Sequence, residues 1–489
     1  HISQGRIFES GVTTTIVIRL SWTCARIHSS QSCPAETPPI ETLADEYDTS
    51  TFSTKESQIK VRSASTSGLS DDEWLTITPE GFFDASDNGA ALLNVVRGLE
   101  VYSIEQFYQR LYRPDVVRQK LASNEEIYAR VKVAARNVNL VAILDSKAPP
   151  AVAIVSPKSD ARIGEGFVTL EANLLDRGAE IGGGIGRVEW RVNDVTRAVQ
   201  DLQRAADGGV TKLTQKLALP EGVSEIKLVA YNKANLAASL PASISVTVKS
   251  STPRPKPRLH VLAAGVNDYR DQDIRQLNYS VADAKSIAAA FALSKSNKRV
   301  YEDVDVHGPL LNADVTAANL QAQFEHLSTI IRPDDVFVLY LAGHGVTDDG
   351  RYYFVPHDAK LKDDELDLET GIAQDQLQKW LTLIPAFRSV LIYDTCESGS
   401  ATEERSAFRG TRQLVAAEKL SRSIGRTVLS ATSDVKAALE GYKEHGAFTY
   451  VLLNAFALGD SNNDGMLATD ELAAYLRKQL PALLEKAWN

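Results

Sequence analysis

The sequence contains little cysteine and no long apolar run, and each scarcity excludes a class of protein. Three cysteines in 489 residues cannot form a disulfide framework, which favours a reducing compartment and a cytoplasmic location. No stretch reaches the roughly 18 consecutive apolar residues that a membrane-spanning helix needs, so we expect no membrane association. The N-terminal residues do not form a convincing signal peptide.

An excess of basic residues is also missing. The formal net charge is −10, with 53 basic and 63 acidic side chains. Binding to nucleic-acid phosphates needs a basic face, so we expect no nucleic-acid partner. The hydrophobic fraction of 44% and the charged fraction of 24% are those of an ordinary globular protein. A chain of this length should form two to four domains.

Changes in composition and periodicity divide the chain into five segments. The first is rich in Ser, Thr and Pro and has poor periodicity. The second mixes short strands with helical spacing, the third has the period-two alternation of half-buried strands, and the fourth is a stiff, proline-rich linker. In the fifth, strands alternate with helices, which implies a mostly parallel sheet with helices on both faces. The segments are residues 1–65 (poorly defined), 66–148 (mixed β/α connecting module), 149–250 (an immunoglobulin-like β-sandwich by size and pattern), 251–257 (linker) and 258–489 (α/β domain).

Two short strings in the last segment carry most of the functional information. The string Gly-His-Gly contains His344, and the string Asp-Thr-Cys-Glu-Ser-Gly contains Cys396. Each follows an unbroken apolar run, which predicts a strand that is buried on both faces and ends just before the string. Ligands bind beyond the carboxyl ends of such strands. We therefore expect His344 and Cys396 to emerge at one edge of one sheet.

A thiol and an imidazole at one sheet edge can act as a nucleophile and its base. His344 would take the proton of Cys396 and later donate it to a leaving amine. The backbone N–H groups of Gly345 and Cys396 could point at the developing oxyanion. The alternatives are a buried core thiol at 396 and a loop histidine with satisfied hydrogen bonds at 344. The remaining histidines lack such a partner pattern, and we interpret them as structural or surface residues.

Residues from about 256 to 480 resemble the caspase-like cysteine peptidases of clan CD (peptidase C14 family), in particular the bacterial metacaspase or orthocaspase branch. The spacing of 52 residues between His344 and Cys396 agrees with that of caspase-type enzymes. The resemblance implies a cysteine-type endopeptidase with a Cys–His dyad. The caspase string Gln-Ala-Cys is absent, which weakens an Asp-directed specificity. The matching motifs are Tyr340–Gly345, Tyr352–Pro356, Asp394–Gly399 and Gly446–Tyr450.

The resemblance also suggests the specificity. In metacaspases, acids at the motif positions of Asp283 and Asp394 line the pocket for the residue before the cut. Two acids in one pocket favour a cationic side chain, so we expect cleavage after Arg or Lys. The alternatives are a helix N-terminal role for Asp283, worth about 0.3–1 kcal/mol, and a purely structural role at the strand end for Asp394. The chain departs from the metacaspases at Ser280, Ala282 and Ala342, which could loosen this pocket.

A twelve-residue stretch near the C-terminus fits the pattern of a calcium-binding loop. Its oxygen donors would be Asp460, Asn462, Asp464, the backbone carbonyl of Met466, and Glu471 at the twelfth position. Calcium is therefore an expected modulator, although the chemistry requires no cofactor. The alternative is a polar connection between two helices that binds no ion.

We therefore predict a cysteine endopeptidase whose substrates are proteins or peptides cut after Arg or Lys. Basic residues are frequent between 403 and 426, so the enzyme could cleave itself there; the alternative is a solvated charged loop. The N-terminal modules would recognise protein partners or restrain the peptidase. Two other functions remain open: an inactive caspase-like scaffold that binds partners, and another thiol hydrolase such as a transpeptidase on the same fold.

Overall fold

The computed structural model describes most of the chain after residue 73 and short pieces before it. Most of the first predicted segment lies outside the described residues, as do the basic residues from 401 to 418. The described residues are 6–7, 14–18, 59–62, 74–78, 81–86, 89–97, 100–121, 140–146, 148–164, 166–177, 183–205, 209–249, 255–296, 300–348, 350–363, 365–397, 419, 421–422, 425–430 and 440–488.

The chain divides into two compact units. The first comprises residues 1–148 together with 236–238, and the second comprises residues 149–235 together with 239–489. The predicted sandwich and the predicted α/β domain therefore belong to the same unit. Within the described residues, no helix is both long enough and apolar enough to cross a membrane.

The first unit contains small antiparallel sheets and short helices. One sheet has four strands in the order β1-β2-β6-β7, and another has three in the order β3-β4-β5. Helix α1 ends at Leu111 and α2 begins at Pro114, a residue suited to a first helical turn. The elements are β1 Arg6–Ile7, β2 Thr14–Ile18, β3 Ile59–Arg62, β4 Trp74–Ile77, β5 Phe83–Ala85, β6 Leu93–Arg97, β7 Glu100–Ser103, α1 Tyr108–Leu111, α2 Pro114–Leu121, α3 Leu140–Asp145 and the 3-10 turns Gly89–Leu92 and Ile104–Phe107.

Residues 151–235 and 239–248 of the second unit form two sheets around a shared apolar core. Strand pairs are antiparallel except for β9 beside β15. Alternate residues of each strand enter the core, where Trp190 is completely buried. The two-sheet arrangement agrees with the period-two pattern, and its immunoglobulin-like character stays a prediction. The sheets have the orders β13-β10-β8 and β12-β11-β14-β15-β9, with β8 Ala151–Ser156, β9 Ala161–Ile163, β10 Phe167–Leu175, β11 Gly184–Val192, β12 Val195–Ala205, β13 Val210–Ala218, β14 Gly222–Asn232 and β15 Ala242–Val248.

The rest of the second unit is an α/β domain built on a seven-stranded sheet. Five strands, in the order β17-β16-β18-β23-β24, are parallel. β19 pairs antiparallel with the end of β18, and β22 pairs antiparallel with β19. The elements are β16 Leu259–Gly265, α4 Ser280–Leu293, β17 Val304–Leu311, α5 Ala317–Ile330, β18 Val336–Asp348, β19 Arg351–Phe354, β20 Leu361–Lys362, β21 Glu365–Leu366, β22 Ile372–Ala373, α6 Gln374–Leu383, β23 Arg388–Glu397, β24 Thr427–Ser430, β25 Glu440–Tyr442, β26 His445–Gly446, α7 Ala447–Leu458, α8 Thr469–Trp488 and the 3-10 turns Ser294–Ser296 and Asn312–Asp314.

Helices cover both faces of this sheet, as the unbroken apolar runs predict. Along β18, Phe337 and Leu339 enter the core formed with α5 and α6, whereas Val338 and Tyr340 enter the core formed with α4, α7 and α8. Successive side chains of a strand point to opposite faces, so a strand that is apolar at every position must be covered twice. The prediction of a parallel sheet between two helical layers is confirmed.

The predicted ends of β18 and β23 are wrong. Both strands continue through the functional strings, so that His344 and Cys396 lie inside strands rather than in loops beyond them. The ladder between them is unbroken from Val336 beside Arg388 to Gly345 beside Glu397. Strand length is set by backbone hydrogen bonds to a neighbour, and these continue after the side chains cease to be apolar.

The sandwich packs against α6 through a partly buried polar network. Nη1 of Arg187 donates to Oε1 of Gln378 over 2.9 Å and lies 3.5 Å from a carboxylate oxygen of Asp375. Lys379 forms an ion pair with Asp201 of β12. Arg187 is only 11% exposed, and such charges are tolerated in partly buried positions because they are paired.

Candidate active site

The sheet register brings His344 and Cys396 to the same position on neighbouring strands. β18 and β23 are parallel, and the Cα atoms of His344 and Cys396 are direct partners in the ladder. Both residues lie near the carboxyl ends of their strands, at the edge where ligands bind in parallel sheets. The two functional strings, 52 residues apart in sequence, are therefore adjacent in the backbone.

The imidazole of His344 is held by two groups from the loop that follows β16. Its Nε2 lies 2.6 Å from the backbone carbonyl oxygen of Arg275, so Nε2 carries the hydrogen and donates it. The ring of Tyr269 stacks on the imidazole with 5.0 Å between centroids, and the Tyr269 hydroxyl accepts the backbone N–H of His344. Among the described residues, Nδ1 of His344 has no hydrogen-bond partner.

Burial controls the charge of this histidine. The His344 side chain is 2% exposed, and loss of solvation lowers the pKa of His344 to about 4. The hydrogen bond to the Arg275 carbonyl raises this pKa, and the Arg275 guanidinium lowers it. His344 is therefore neutral at neutral pH, with its hydrogen on Nε2 and an unshared pair on Nδ1. A neutral imidazole of this tautomer can accept a proton at Nδ1.

Gly343 permits the close approach of Tyr269. Its φ is +153°, a region that residues with a side chain rarely adopt. A Cβ at this position would lie 3.1 Å from the Tyr269 hydroxyl and 3.4 Å from the Phe354 ring. The glycine before His344 is therefore required by the packing that holds the imidazole.

The residue before Cys396 is also fixed. The Tyr352 hydroxyl donates to Oγ1 of Thr395 over 3.0 Å, and the Tyr352 backbone N–H donates to the Gln374 side chain at the start of α6. Thr395 is 3% exposed. This part of β23 is thus tied to β19 and, through Gln374, to helix α6.

Gly345, predicted to offer an oxyanion donor, lies between two strands. Its Cα partners are Glu397 on β23 and Phe354 on β19. A Cβ at Gly345 would meet the Tyr352 ring at 2.9 Å and the Thr395 side chain at 3.1 Å, so only glycine fits there. The oxyanion role of the Gly345 and Cys396 amides stays a prediction.

The carboxylates of Asp283 and Asp394 lie near one another, and their role in substrate binding stays a prediction. Asp283 lies in the first turn of α4 and Asp394 lies in β23. Both face Gly446: a Cβ built there would lie 3.1 Å from Oδ2 of Asp283 and 3.4 Å from Oδ2 of Asp394. Any other residue at 446 would therefore push into the space between the two carboxylates.

Asp394 is anchored by two hydroxyl groups. The Tyr340 hydroxyl donates to Oδ2 of Asp394 over 3.3 Å, and the Thr449 hydroxyl donates to the same oxygen. Burial, with the carboxylates of Asp394 and Asp283 nearby, raises the pKa of Tyr340 well above its usual value, which keeps this hydroxyl a donor. Asp394 itself is partly exposed.

Asp283 contacts the hairpin formed by β25 and β26. Nδ1 of His445 lies 2.7 Å from Oδ1 of Asp283, and the Gly446 backbone N–H donates to Oδ2 over 3.1 Å. His445, which the sequence led us to interpret as a structural or surface residue, thus contacts a residue of the predicted pocket. Two acids, 111 residues apart in sequence, meet at this hairpin.

Comparison with known proteins agrees with this geometry. Residues 258–485 match the family model of the caspase domain of peptidase C14. This part of the chain is a caspase-like domain. A comparison with curated proteins finds no match.

Two solved structures are similar to about half of the chain. Protein GSU0716 from Geobacter sulfurreducens is 20% identical, with 46% of this chain and 89% of that chain covered and a TM-score of 0.33. Pro-sf-caspase-1 is 11% identical, with 49% of this chain and 86% of that chain covered and a TM-score of 0.30. Likenesses this weak support no statement about function.

Three contacts of the caspase domain were missed by sequence reasoning. They are the Arg275 carbonyl, the stacked ring of Tyr269 and the imidazole of His445. The sequence offered some indication of the first two, because the loop that contains Tyr269 and Arg275 directly follows β16 and so begins at the same sheet edge. His445 also had one, since it precedes the matching motif Gly446–Tyr450.

The predicted calcium loop is folded by its own backbone. The Asp460 carboxylate accepts the N–H groups of Asp464 and Gly465, and the Glu471 carboxylate accepts those of Ser461, Asn462 and Ala468. Among the described residues, no three His, Cys, Asp or Glu side chains are grouped closely enough to hold a metal ion. The oxygen donors of this loop suit calcium in their chemistry, and calcium binding stays a prediction.

Two basic residues of the predicted self-cleavage stretch are buried. Lys419 is 0% exposed and Arg426 is 5% exposed. Arg426 donates to the carbonyl oxygens of Leu381 and Ile384 near the end of α6 and to the hydroxyl of Ser389. Both residues are therefore inaccessible as cleavage sites in the folded domain, whereas Arg422 is exposed.

Proposed function

We propose that the chain is a cysteine endopeptidase that uses His344 and Cys396 and cuts after Arg or Lys. The observation that carries the proposal is the ladder pairing of these two residues at the carboxyl edge of a caspase-domain sheet. Further support comes from the neutral imidazole, whose Nε2 is held by the Arg275 carbonyl while Nδ1 keeps its unshared pair.

The proposed chemistry follows from these two groups. Nδ1 of His344 takes the proton of the Cys396 thiol, and the thiolate attacks the carbonyl carbon of the scissile bond. The imidazolium then gives this proton to the leaving amine as the C–N bond breaks, and a thioester remains. Water attacks the thioester, His344 takes a proton from it, and the sulfur leaves and is reprotonated. The Nε2 hydrogen bond keeps the ring in one orientation during both proton transfers.

The acid pair supports the proposed specificity. Asp283 and Asp394 approach each other at Gly446, and a cationic side chain placed there would meet two carboxylates. Opposite charges in a partly enclosed site attract strongly, and an Asp side chain at the same place would be repelled. The preference for Arg or Lys over Asp is thus an electrostatic consequence of this pair.

Fluorogenic peptides that differ only in the residue before the cut test the proposal. We expect turnover of the Arg and Lys peptides, no turnover of the Asp peptide, and loss of all turnover in Cys396→Ala and His344→Ala. Asp394→Asn should lower kcat/KM for the Arg peptide by about tenfold or more. Preferred cleavage after Asp would contradict the acid-pair argument. An irreversible Arg-based thiol reagent should label Cys396, and labelling of another cysteine would contradict its role as the nucleophile.

The same assay separates the two alternatives. Absence of turnover with every peptide, in protein that is folded, would favour a scaffold whose N-terminal modules bind partners. A third outcome, transfer of the acyl group to an added amine in preference to water, would favour a transpeptidase. The Cys396→Ala variant serves as the control in each case, because it keeps the fold and lacks the sulfur.

Self-cleavage and calcium modulation are further parts of the proposal. Cleavage in the stretch from 403 to 426 would occur outside the buried Lys419 and Arg426, and fragment mapping of wild-type protein beside Cys396→Ala tests it. Calcium binding at residues 460–471 would require Glu471 to exchange backbone N–H groups for the cation. Assay of peptide turnover with a chelator and with added calcium tests this modulation.

A further inference from the structure

The acid pair is not an open pair of carboxylates, because a histidine already holds one of them. Nδ1 of His445 lies 2.7 Å from Oδ1 of Asp283. An ionised carboxylate only accepts hydrogen bonds, so Nδ1 carries a hydrogen in this contact. In the neutral imidazole, Nε2 is then an acceptor. The hairpin β25–β26 therefore adds an acceptor of its own beside the two acids.

The imidazole lies on the more exposed side of this contact. The His445 side chain is 20% exposed, whereas the Asp283 side chain is 4% exposed. The Gly446 backbone N–H holds the second oxygen of Asp283 from the same hairpin. The imidazole and the Gly446 N–H therefore both contact the Asp283 carboxylate from this hairpin, and the imidazole is the more exposed partner.

We propose that His445 is a specificity-determining residue that makes the acid pair select a guanidinium over an ammonium group; this inference rests on the proposed function. The acceptors are spread over the carboxylates of Asp394 and Asp283 and over Nε2 of His445. A guanidinium is planar and has five N–H donors in a fixed fork, so it can bond separated acceptors at once. An ammonium group has three donors around one compact, strongly hydrated charge, and it satisfies fewer of them.

The orientation of Asp283 strengthens this selection. With Oδ1 tied to His445 and Oδ2 tied to Gly446, the carboxylate cannot turn to form a symmetric contact with an ammonium group. A fixed carboxylate binds more tightly to a ligand whose N–H donors point in matching directions, as those of an Arg side chain do. Without the imidazole, Asp283 regains rotational freedom and the pocket becomes a simple region of negative charge, which Lys and Arg satisfy about equally.

Two substitutions of His445 separate these contributions from a structural role. In His445→Asn, the side-chain amide can still donate to Asp283 from the position of Nδ1, but no acceptor stands at the position of Nε2. His445→Ala lacks both. Glu444→Gln, an exposed neighbour on the same hairpin, is the matched control. The measurement is kcat/KM for two peptides that differ only in Arg or Lys before the cut.

In the wild-type chain we expect kcat/KM for the Arg peptide to exceed kcat/KM for the Lys peptide by about tenfold or more. One additional charge-assisted hydrogen bond gives a ratio of this size. His445→Ala and His445→Asn should lower this ratio toward one, mainly through KM of the Arg peptide, whereas Glu444→Gln should keep it. His445→Asn should keep the wild-type Tm, because its hydrogen bond to Asp283 remains. An unchanged ratio in both His445 variants overturns the inference.

Failure of this inference and failure of the proposed function give different results. If the wild-type chain cleaves neither peptide, the proposed function fails. If it cleaves both and the His445 variants keep the ratio, only the role of His445 fails. Competitive inhibition by n-butylguanidine and n-butylamine provides the same ratio from binding alone. If His445→Ala does not fold, His445→Asn decides the question.

Discussion

Nε2 of His344 lies 2.6 Å from the carbonyl oxygen of Arg275, so a backbone atom 69 residues earlier in the chain orients the imidazole. No side-chain substitution removes this acceptor. Its position depends on the path of the loop between β16 and α4, and Gln276 organises that path. The Gln276 side chain accepts the N–H of Tyr269 over 2.6 Å and donates to the carbonyl oxygens of Tyr269 and Ile274.

We predict that Gln276→Leu lowers kcat by about tenfold or more with little change in KM, because the imidazole loses its fixed direction while the acid pair is untouched. Gln272→Leu is the matched control, since the Gln272 side chain makes only 3.4 Å contacts to the same loop. Steady-state kinetics with an Arg peptide measure both variants. Equal effects of the two substitutions would contradict the role of Gln276.

Burial of His344 predicts a specific pH dependence of stability. The pKa of His344 is about 4 in the folded chain and about 6.5 in the unfolded chain. Between these pH values the unfolded state therefore binds more protons than the folded state. The contribution of the neutral His344 side chain to the free energy of unfolding is complete above pH 6.5 and is lost as the pH falls toward 4. The loss should reach about 3 kcal/mol, the free energy that corresponds to this difference in pKa.

Denaturant unfolding of the wild-type chain and of His344→Phe, measured from pH 7 to pH 4, checks this dependence. Other groups titrate in both proteins, so the quantity of interest is the difference between the two free energies of unfolding. We expect the wild-type chain to lose stability relative to the variant as the pH falls. A difference that is independent of pH would show that His344 keeps an ordinary pKa.

The contact between the sandwich and α6 predicts that the two parts are stabilised together. Arg187→Leu removes the donor to the Gln378 side chain and the ion pair with Asp375. Gln378 is 1% exposed, so its carbonyl oxygen would stay buried without this partner, and we expect a loss of about 1–3 kcal/mol. Arg162→Leu, at an exposed position of β9, should change stability by less than about 0.5 kcal/mol.

Urea unfolding, followed by fluorescence and by circular dichroism, measures both variants. A single transition that shifts in Arg187→Leu and not in Arg162→Leu would support an integral role of the sandwich in the second unit. Equal stability of the two variants would mean that the polar network contributes nothing to holding α6.

Hydrophobic patterns predicted the sheet but could not predict its functional contacts. The bounds of α6 follow from its amphipathic spacing, and the faces of β18 follow from its apolar run. The ends of β18 and β23 did not follow, because the ladder continues beside a partner strand after the apolar residues stop. The hydrophobic pattern of a segment indicates which of its own residues are buried. It does not indicate how long the neighbouring strand is.

The contacts that complete the site join distant parts of the chain. Asp283 and His445 are 162 residues apart, and His344 meets a carbonyl group that any residue at position 275 would supply. A backbone acceptor cannot be recognised from the identity of its residue. His445 can be noticed in the sequence, but only the fold shows that its hairpin returns to the start of α4. Motifs therefore located the acids and the pair at the sheet edge, and the groups that orient them required the structure.

Glu471 gives the last prediction, because its carboxylate has a role that needs no cation. Oε1 accepts the Ser461 hydroxyl over 2.7 Å and the Ser461 N–H over 3.1 Å, and Oε2 accepts the Ala468 N–H at the start of α8. These hydrogen bonds, first among them that of Ser461, lower the pKa of Glu471 and keep it ionised. With a chelator present, Glu471→Ala should therefore lower Tm, whereas Asp470→Ala, an exposed acid beside it, should not.

Added calcium then distinguishes a folding role from a binding role for the same carboxylate. If the loop takes calcium, the ion should raise Tm of the wild-type chain and of Asp470→Ala but leave Glu471→Ala unchanged, since the twelfth position supplies the bidentate ligand of such loops. An equal rise in Glu471→Ala would locate calcium elsewhere in the chain. No rise in any of the three proteins would leave Glu471 as a capping residue of α8 and would remove calcium from the proposed function.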